Sequence, residues 1–340
     1  MMRTFRRIDA FGDALNDTFS DTCKTWLSAA DMPDLPDSVA VGWSGGADST
    51  ALLLALVCSG RKVMAWHVDH GWRDTSAREA EQLAEQAEAW GIAFVAARLA
   101  VASHASEAEA RTGRYAQFQV WSRQYQLATL CLGHHRDDQA ETVCMRLLQG
   151  AGSVGCRGMW RERRIGHLRI VRPLLHLPAS TIRQTMAQAG IDWLDDPSNR
   201  DLRIWRNRIR HRLFPAISKA GVAPDELFLR WQRQAECVAA RLDAVVDVLM
   251  QQLSRTETGL CLPWAVWVDA LPSARARLLQ KCMLQLLGDG VTPGRRHIIM
   301  VETWTKKSGR GGLDLSRCRL YRERDDLHLR PVTSAFGRDK

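Results

Sequence analysis

Along the first two-thirds of the chain, short apolar runs alternate with stretches whose apolar residues recur every three or four positions. The strand-like runs fall at residues 38–43, 62–68, 92–99 and 127–133. Helical periodicity follows each of them, at residues 49–59, 76–90, about 107–125 and 137–149. This rhythm predicts an α/β fold, a doubly wound parallel sheet with helices on both faces, and ligands bound beyond the carboxyl ends of its strands. The stretch Gly150 to Gly155, "GAGSVG", breaks the pattern. A strand-like segment at 168–175, a helix at 179–189 and an arginine-rich helix near 203–214 complete a first domain expected to span residues 1–217. Gly221-Val-Ala-Pro224 reads as a linker. Beyond it, residues 225–256 and 271–288 read as long helices, 295–306 as a shorter one, and 312–330 as short strands. Residues 218–340 are therefore expected to form a smaller, mainly helical domain.

Charge separates the two parts. Residues 1–150 carry 14 Lys+Arg against 19 Asp+Glu, a net −5, and residues 151–340 carry 33 against 19, a net +14. A strongly basic second half is suited to a polyanion such as nucleic acid. The 40 arginines against 7 lysines are consistent with genomic base composition, and no function is drawn from them. No apolar run approaches the roughly 18 residues that a membrane span requires. The first 21 residues start basic but hold four aspartates and lack an apolar signal core, so a soluble, cytoplasmic protein is expected. The nine cysteines include no C-x-x-C pair. That spacing points away from a disulfide framework or a structural zinc or iron–sulfur site, and towards small core residues.

The most informative stretch is "VGWSGGADSTALLLALVC", residues 41–58, where a buried strand turns sharply into a helix through Ser44-Gly45-Gly46-Ala47-Asp48-Ser49. A helix N-terminus presents unpaired N–H groups and a partial positive charge. Gly45 and Gly46 would let an anion approach the backbone, and Ser44 and Ser49 would add hydroxyl donors. Asp48 repels phosphate, so Mg2+ is the natural mediator between them. The alternative is an ordinary strand-to-helix turn. The stretch has neither the Walker G-x-x-x-x-G-K-[ST] spacing nor the dinucleotide G-x-G-x-x-G spacing.

The block Ser44-Gly-Gly-x-Asp-Ser49 closely resembles the pyrophosphate loop (PP-loop) of the Rossmann-like N-type ATP pyrophosphatases, which cleave ATP to AMP and pyrophosphate while activating an oxygen as an adenylate. Four further blocks resemble one family among them, the tRNA(Ile)-lysidine synthetases. They are "HVDHGWRDTSAREAE" at 67–81, "EAEARTGRYAQF" at 107–118, "GHHRDDQAETVCMRLLQGAGSVGCRGM" at 133–159 and "DDPSNRDLRIWRNRIRHRLFP" at 195–215. The tail "GRRHIIMVETWTKKSGRGGLDL" is more loosely similar to the end of that family's helical domain. Trp72 and Gly133 stand where leucine and alanine are usual, and neither departure is expected to touch the chemistry. The chain stops early, so the further C-terminal domain of longer members is expected to be missing.

The resemblance implies a ligase of tRNA modification. Such an enzyme attaches free L-lysine to carbon-2 of the wobble cytidine of an isoleucine tRNA with a CAU anticodon. ATP first adenylates the cytosine oxygen, and the lysine ε-amine then displaces AMP. It also implies roles for particular residues. ATP would be held by residues 44–49 with His67 and Asp69, and Mg2+ by Asp48. Asp138 and Glu141 would hold the lysine ammonium, and Arg111 would lie at the active site. Homodimers are compatible with the sequence.

The local patterns weigh on those roles. On a helix, His134, Asp138 and Glu141 would share one face, and a carboxylate or His134 could accept the amine proton. A solvated helix start with favourable acidic residues is the alternative, and a metal site built on "HHRDD" is weaker because adjacent histidines diverge. His70, at a strand end, is open to a catalytic or a structural role. Arg111 and Arg114 lie three apart and could meet phosphate or carboxylate, or pair with Glu107 or Glu109. Residues 200–212 hold six arginines. Arg203, Arg206 and Arg210 would form one stripe towards tRNA phosphates, joined by Arg208, while Ile204, Ile209 and Leu213 face the core. The alternative is a solvated basic face. Trp205 and Trp160 offer stacking surfaces, although most of the 13 tryptophans are assigned to core. Two other functions fit the class. A thiolase acting on tRNA cytidine would need cysteine pairs for a cluster, which are absent. An RNA-binding protein with a dead nucleotide site would show erosion at Ser44, Asp48, Asp138 or Glu141, and all four stand in place.

Overall fold

Val39, Ala40 and Val41 are apolar on both sides of their pleat, and in a computed structural model of the chain they form the middle of a sheet covered on both faces. The structure describes residues 17–28, 32–69, 76–99, 107–195, 197–288, 293–315 and 317–332. Helix α1 (Asp17–Leu27) precedes β1 (Ser38–Gly42), α2 (Ala47–Cys58), β2 (Lys62–Asp69), α3 (Ser76–Ala89), β3 (Ala93–Arg98), α4 (Glu107–Gln124), β4 (Thr129–Leu132) and α5 (Arg136–Leu148). Then come β5 (Glu162–Ile165), β6 (Leu168–Val171), α6 (Ala179–Gln188), α7 (Trp205–Arg208), a π-turn at Ile209–Leu213 and α8 (Phe214–Lys219). The sheet runs β3-β2-β1-β4-β6-β5, parallel except for the β5 edge. The predicted α/β sheet is thus present, and its expected strands and the helices between them end within two or three residues of their forecasts, whereas the helix forecast near 203–214 is a broken run from Trp205 to Lys219. Among the strands the exception is the segment at 168–175, whose strand ends at Val171 ahead of Pro173.

The chain moves outward from β1 to β2 and β3, then returns to lay β4 on the other side of β1. That reversal opens a crevice at the carboxyl ends of β1 and β4, the place where open α/β sheets bind ligands. Register aligns this edge: Gly42 lies opposite Leu132, and Cys131 opposite Val171. Helix α2 is buried all round between the sheet, α1 and α6, with Leu52, Leu53, Leu54 and Leu56 fully buried. Each such leucine contributes roughly 1.5–3 kcal/mol, so the N-terminus of α2 is held on a rigid rod. Helix α1 was not foreseen, although Phe19, Cys23 and Trp26, its buried stripe, are spaced by four and three. Strand β5 was also unforeseen. Its Glu162-Arg-Arg-Ile sequence reads as polar loop, and a Gly166 turn at φ +57° folds it back on β6, where Glu162 takes Arg169 bidentately at 2.9 and 2.8 Å.

Two compact units divide the chain at residues 233 and 234, inside helix α9 (Pro224–Met250). The Gly221 turn, at φ +81°, leads directly into that helix. The second unit adds β7 (Ser254–Arg255), β8 (Leu260–Pro263), α10 (Trp264–Asp269), α11 (Pro272–Leu287), α12 (Arg295–Lys306), β9 (Gly312–Leu315), β10 (Cys318–Glu323) and β11 (Asp326–Pro331). Its strands form an antiparallel sheet, β7-β8-β11-β10-β9, against which the helices bury Val246, Trp267, Leu278, Leu279, Val301 and Trp304. The forecast helix at 225–256 stops at Met250, and the very short β7 and β8 escaped notice. Six cysteines are buried, two half-buried and Cys237 exposed, as small core residues would be. No described helix is long and apolar enough to cross a membrane.

Candidate active site at the carboxyl edge of the sheet

The backbone leaves β1 through Trp43 and turns at Gly45, whose φ of +83° suits glycine. A Cβ there would also lie 2.7 Å from Leu194 and 2.9 Å from Leu83. Gly46, the N-cap of α2, is different. Its φ is an ordinary −70°, and a Cβ would meet nothing of the protein closer than 3.6 Å. No side chain caps this helix, so the protein itself gives no reason for a bare backbone here; close approach of an anion does. The turn is braced from below. Ser44 and Ser49 join through their hydroxyls at 3.1 Å, Thr50 donates to the Gly45 carbonyl at 3.2 Å, and the Leu194 amide donates to the same carbonyl at 2.9 Å. Buried His67 bonds the Trp43 carbonyl through Nδ1 at 3.0 Å, which makes its side chain a strut beneath the loop. Buried Asp69 lies 3.7 Å from Arg98 Nε at the end of β2. Gly133 touches the same loop from β4: a Cβ there would sit 2.8 Å from the Asp48 carbonyl oxygen, so this departure bears on the cradle after all.

Asp48 stands in the first turn of α2. Its Oδ2 lies 3.5 Å from His135 Nε2, while its Oδ1 is buried without a partner among the described residues. An orphaned carboxylate oxygen beside an open helix N-terminus is a hard ligand of the kind Mg2+ takes. His135, whose role the spacing of the carboxylates does not reveal, is the N-cap of α5. Its Nδ1 accepts the Asp138 amide at 3.3 Å and its own amide donates to Asp138 Oδ2 at 3.1 Å. The pattern His-x-x-Asp is a capping box, legible by analogy with Ser-x-x-Glu. Burial opposes a charge on this imidazole, but Asp137, Asp48 and Asp138 outweigh it and push it up to about 10. The long Nδ1 cap is the weaker claim on that nitrogen.

His134 lies ahead of the N-cap, so the helical face reduces to Asp138 and Glu141; helix α5 begins only at Arg136. Burial pushes the His134 imidazole down to about 3, with Arg172, Arg206 and Arg111 opposing Asp138 in the same sense. It is a neutral group and a poor proton acceptor. The linkage gives a prediction. Below the ordinary value of 6.5 the unfolded chain takes up a proton that folded His134 refuses. Stability therefore falls as pH drops from 6.5 towards 3, by up to about 1.4 kcal/mol per pH unit. His135 works in the opposite sense, with its stabilisation complete below 6.5 and lost as pH rises through about 10. Urea denaturation between about pH 6.5 and 4.5 should show an acid slope that His134→Asn removes; an equal slope in the variant contradicts this.

The acid pair and two of the arginines meet one another. Arg206 donates through Nε to Glu141 Oε2 at 2.7 Å, and Arg210 through Nε to Glu141 Oε1 at 2.6 Å. Both reach Asp138 Oδ1 more loosely, at 3.4 and 3.3 Å. The Glu141 side chain is 2% exposed. Burial lowers both arginines, but the two carboxylates more than compensate and hold them above their ordinary values; burial likewise raises Asp138, and His135 and Arg206 bring it below its own. Arg206 and Arg210 are thus turned inward, a correction to the outward stripe. Arg203 precedes the N-cap Ile204, and the π-turn shifts every residue after Arg208, so the 3.6-residue projection fails here. Of the forecast core residues, Ile209 is fully buried and Ile204 and Leu213 half-buried. Arg203 is exposed and pairs with Asp201, and Arg208 covers exposed Trp205 at 5.0 Å. Arg111 is exposed, donating to the Tyr115 hydroxyl at 3.3 Å. His70 and Trp72 lie outside the described residues.

The cradle after β1, the capped helix after β4 and the crevice between them define a class, and residues 20–217 match the model of the PP-loop domain family. The fold is also that of the U34-tRNA thiolase of Methanococcus maripaludis, with a TM-score of 0.50 at 16% identity over 64% of this chain and 79% of that one. The chain is 38% identical to the tRNA(Ile)-lysidine synthase of Chlamydia felis over 67% of its own length and 74% of that protein's. It is 33% identical to that of Methylobacterium nodulans over 82% of each. In other relatives the match spans about half of the protein, 56% in Chlamydia pneumoniae and 47% in Burkholderia mallei. The chain belongs to the PP-loop class and, within it, to the tRNA(Ile)-lysidine synthase family.

Proposed function

We propose that the protein joins free L-lysine to carbon-2 of the wobble cytidine of an isoleucine tRNA bearing a CAU anticodon. ATP adenylates the cytosine oxygen and pyrophosphate leaves; the lysine ε-amine then displaces AMP. The reading is carried by the placement of a bare helix N-terminus, Gly45 to Ser49, beside the orphaned Oδ1 of Asp48 in a chain of this family. The loop amides would bind the phosphates, with the Ser44 and Ser49 hydroxyls at hand. Mg2+ would be held by Asp48 and would neutralise phosphate charge when bound. Glu141 is saturated by two arginines, so we assign the substrate ammonium to Asp138, whose contacts to them are longer. Incubation with ATP, radiolabelled lysine and unmodified tRNA should place lysine in acid-insoluble RNA only when ATP is present; tRNA binding without incorporation would contradict the reading.

Arg206 and Arg210 are turned inward onto a buried carboxylate, so we assign tRNA phosphates to the exposed Arg203, whose pair with Asp201 lies in solvent, and Arg208. Alanine at either position should reduce the slope of log binding constant against log salt by about one. A slope equal to wild type would remove that residue from the interface.

A further inference from the structure

Among the described residues two arginines are fully or nearly buried, and they are of opposite kinds. Arg275 is matched as a structural guanidinium should be. Glu302 takes its Nε at 3.0 Å and its Nη2 at 2.5 Å, and the Val268 and Ala270 carbonyls accept from Nη1. Arg172 is more deeply buried, at 1% exposure, yet no carboxylate among the described residues pairs with it. Its Nη1 donates to the Trp160 carbonyl at 2.5 Å, and its Nε has no partner among the described residues. A buried cation left without an anion is costly, and such a cost is tolerated where a ligand supplies the missing charge.

Its position fits a ligand. Arg172 directly follows β6, and since Cys131 lies opposite Val171, it reaches the same carboxyl edge that β4 leaves two residues before His134. The Tyr115 hydroxyl lies beside the Arg172 guanidinium and accepts from exposed Arg111 at 3.3 Å. The shared hydroxyl therefore links solvent to the buried guanidinium. His134 Nδ1 is likewise buried without a partner, and a neutral imidazole can offer it as a donor.

We propose that Arg172, with Tyr115 and Arg111, forms an oxyanion subsite that takes the α-carboxylate of the amino-acid substrate or a phosphoryl oxygen of the nucleotide. The assignment rests on the ligase reading above. Arg172→Gln in the full chain, assayed with lysine, lysinamide and ATP, tells the two anions apart. If the carboxylate binds here, the KM for lysine rises about 100-fold while those for lysinamide and ATP stay unchanged. If a phosphoryl oxygen binds here, the KM for ATP or the inhibition constant of AMP rises by a similar factor and lysine is unaffected. Should Arg172→Gln fail to fold, Tyr115→Phe, which keeps the ring in the core, should show the same selectivity at about 10-fold. A folded variant with every one of these constants within about threefold of wild type would overturn the subsite. If wild-type protein incorporated no lysine, the ligase reading itself would fail. Calorimetric titration of ATP, AMP and pyrophosphate into wild type and Arg172→Gln would then judge the subsite: a loss above about 30-fold for any of them supports it, and equal affinities overturn it.

Discussion

Asp48→Ala should abolish ATP-dependent incorporation of lysine into tRNA, by a factor of at least about 10³, and leave the melting temperature within a few degrees of wild type. Two parts of the structure make these effects separable. The Asp48 carboxylate has one oxygen buried without a partner, so the folded protein gains little from it. Its other oxygen faces His135, which keeps Asp137 and Asp138 when Asp48 is gone. A group that adds little to the resting fold and is needed for activity is characteristic of a ligand site. Residual activity above about one per cent would remove Asp48 from phosphate or metal binding.

Glu141→Ala should behave in the opposite way, as a stability mutant first. Both oxygens of Glu141 are occupied, by Arg206 and Arg210, in a place where its side chain is 2% exposed. Removing one member of a buried ion cluster strands the remaining charges, which costs about 3–5 kcal/mol. Urea denaturation should show that loss, whereas a change below about 0.5 kcal/mol would mean that the cluster is solvated like a surface pair. Replacing Glu141, Arg206 and Arg210 by apolar residues of similar volume, together with Asp138→Asn, should cost much less than the single change, because no charge of the cluster is then left alone. Any rise in the lysine requirement of Glu141→Ala is best read beside this result, since a shifted Arg206 would disturb Asp138 as well.

How much of this could be read from the chain follows from which forces are local. The strand-turn-helix at residues 38–58 was legible because an apolar run, a glycine pair and a second apolar run are neighbours in sequence, and each element forms for reasons contained within it. The pairing of Asp138 and Glu141 on one face was legible for the same reason, three residues apart on α5. Their partners were not. Arg206 and Arg210 lie 65 and 69 residues further on, and nothing in a basic helical stripe says whether it turns towards water or towards a buried acid. The π-turn compounds this, since it changes the residue count per turn in the segment where the stripe was drawn. His134 and His135 exchanged roles because the helix starts one residue after His135, and a helix boundary is the part of a pattern least fixed by periodicity. Arg172 was silent in sequence, for its meaning lies in the lack of a carboxylate partner among the described residues.

Catalysis by this fold requires main-chain amides between Ser44 and Ser49 to grip the phosphates of a nucleotide next to Asp48. A crystal structure of the full chain with a non-hydrolysable ATP analogue and Mg2+ tests this most directly. The phosphates should lie within hydrogen-bonding distance of the amides at the start of α2, with the metal on Asp48 Oδ1. Phosphates bound elsewhere, with Gly46 still facing open space and Asp48 Oδ1 still alone, would contradict it.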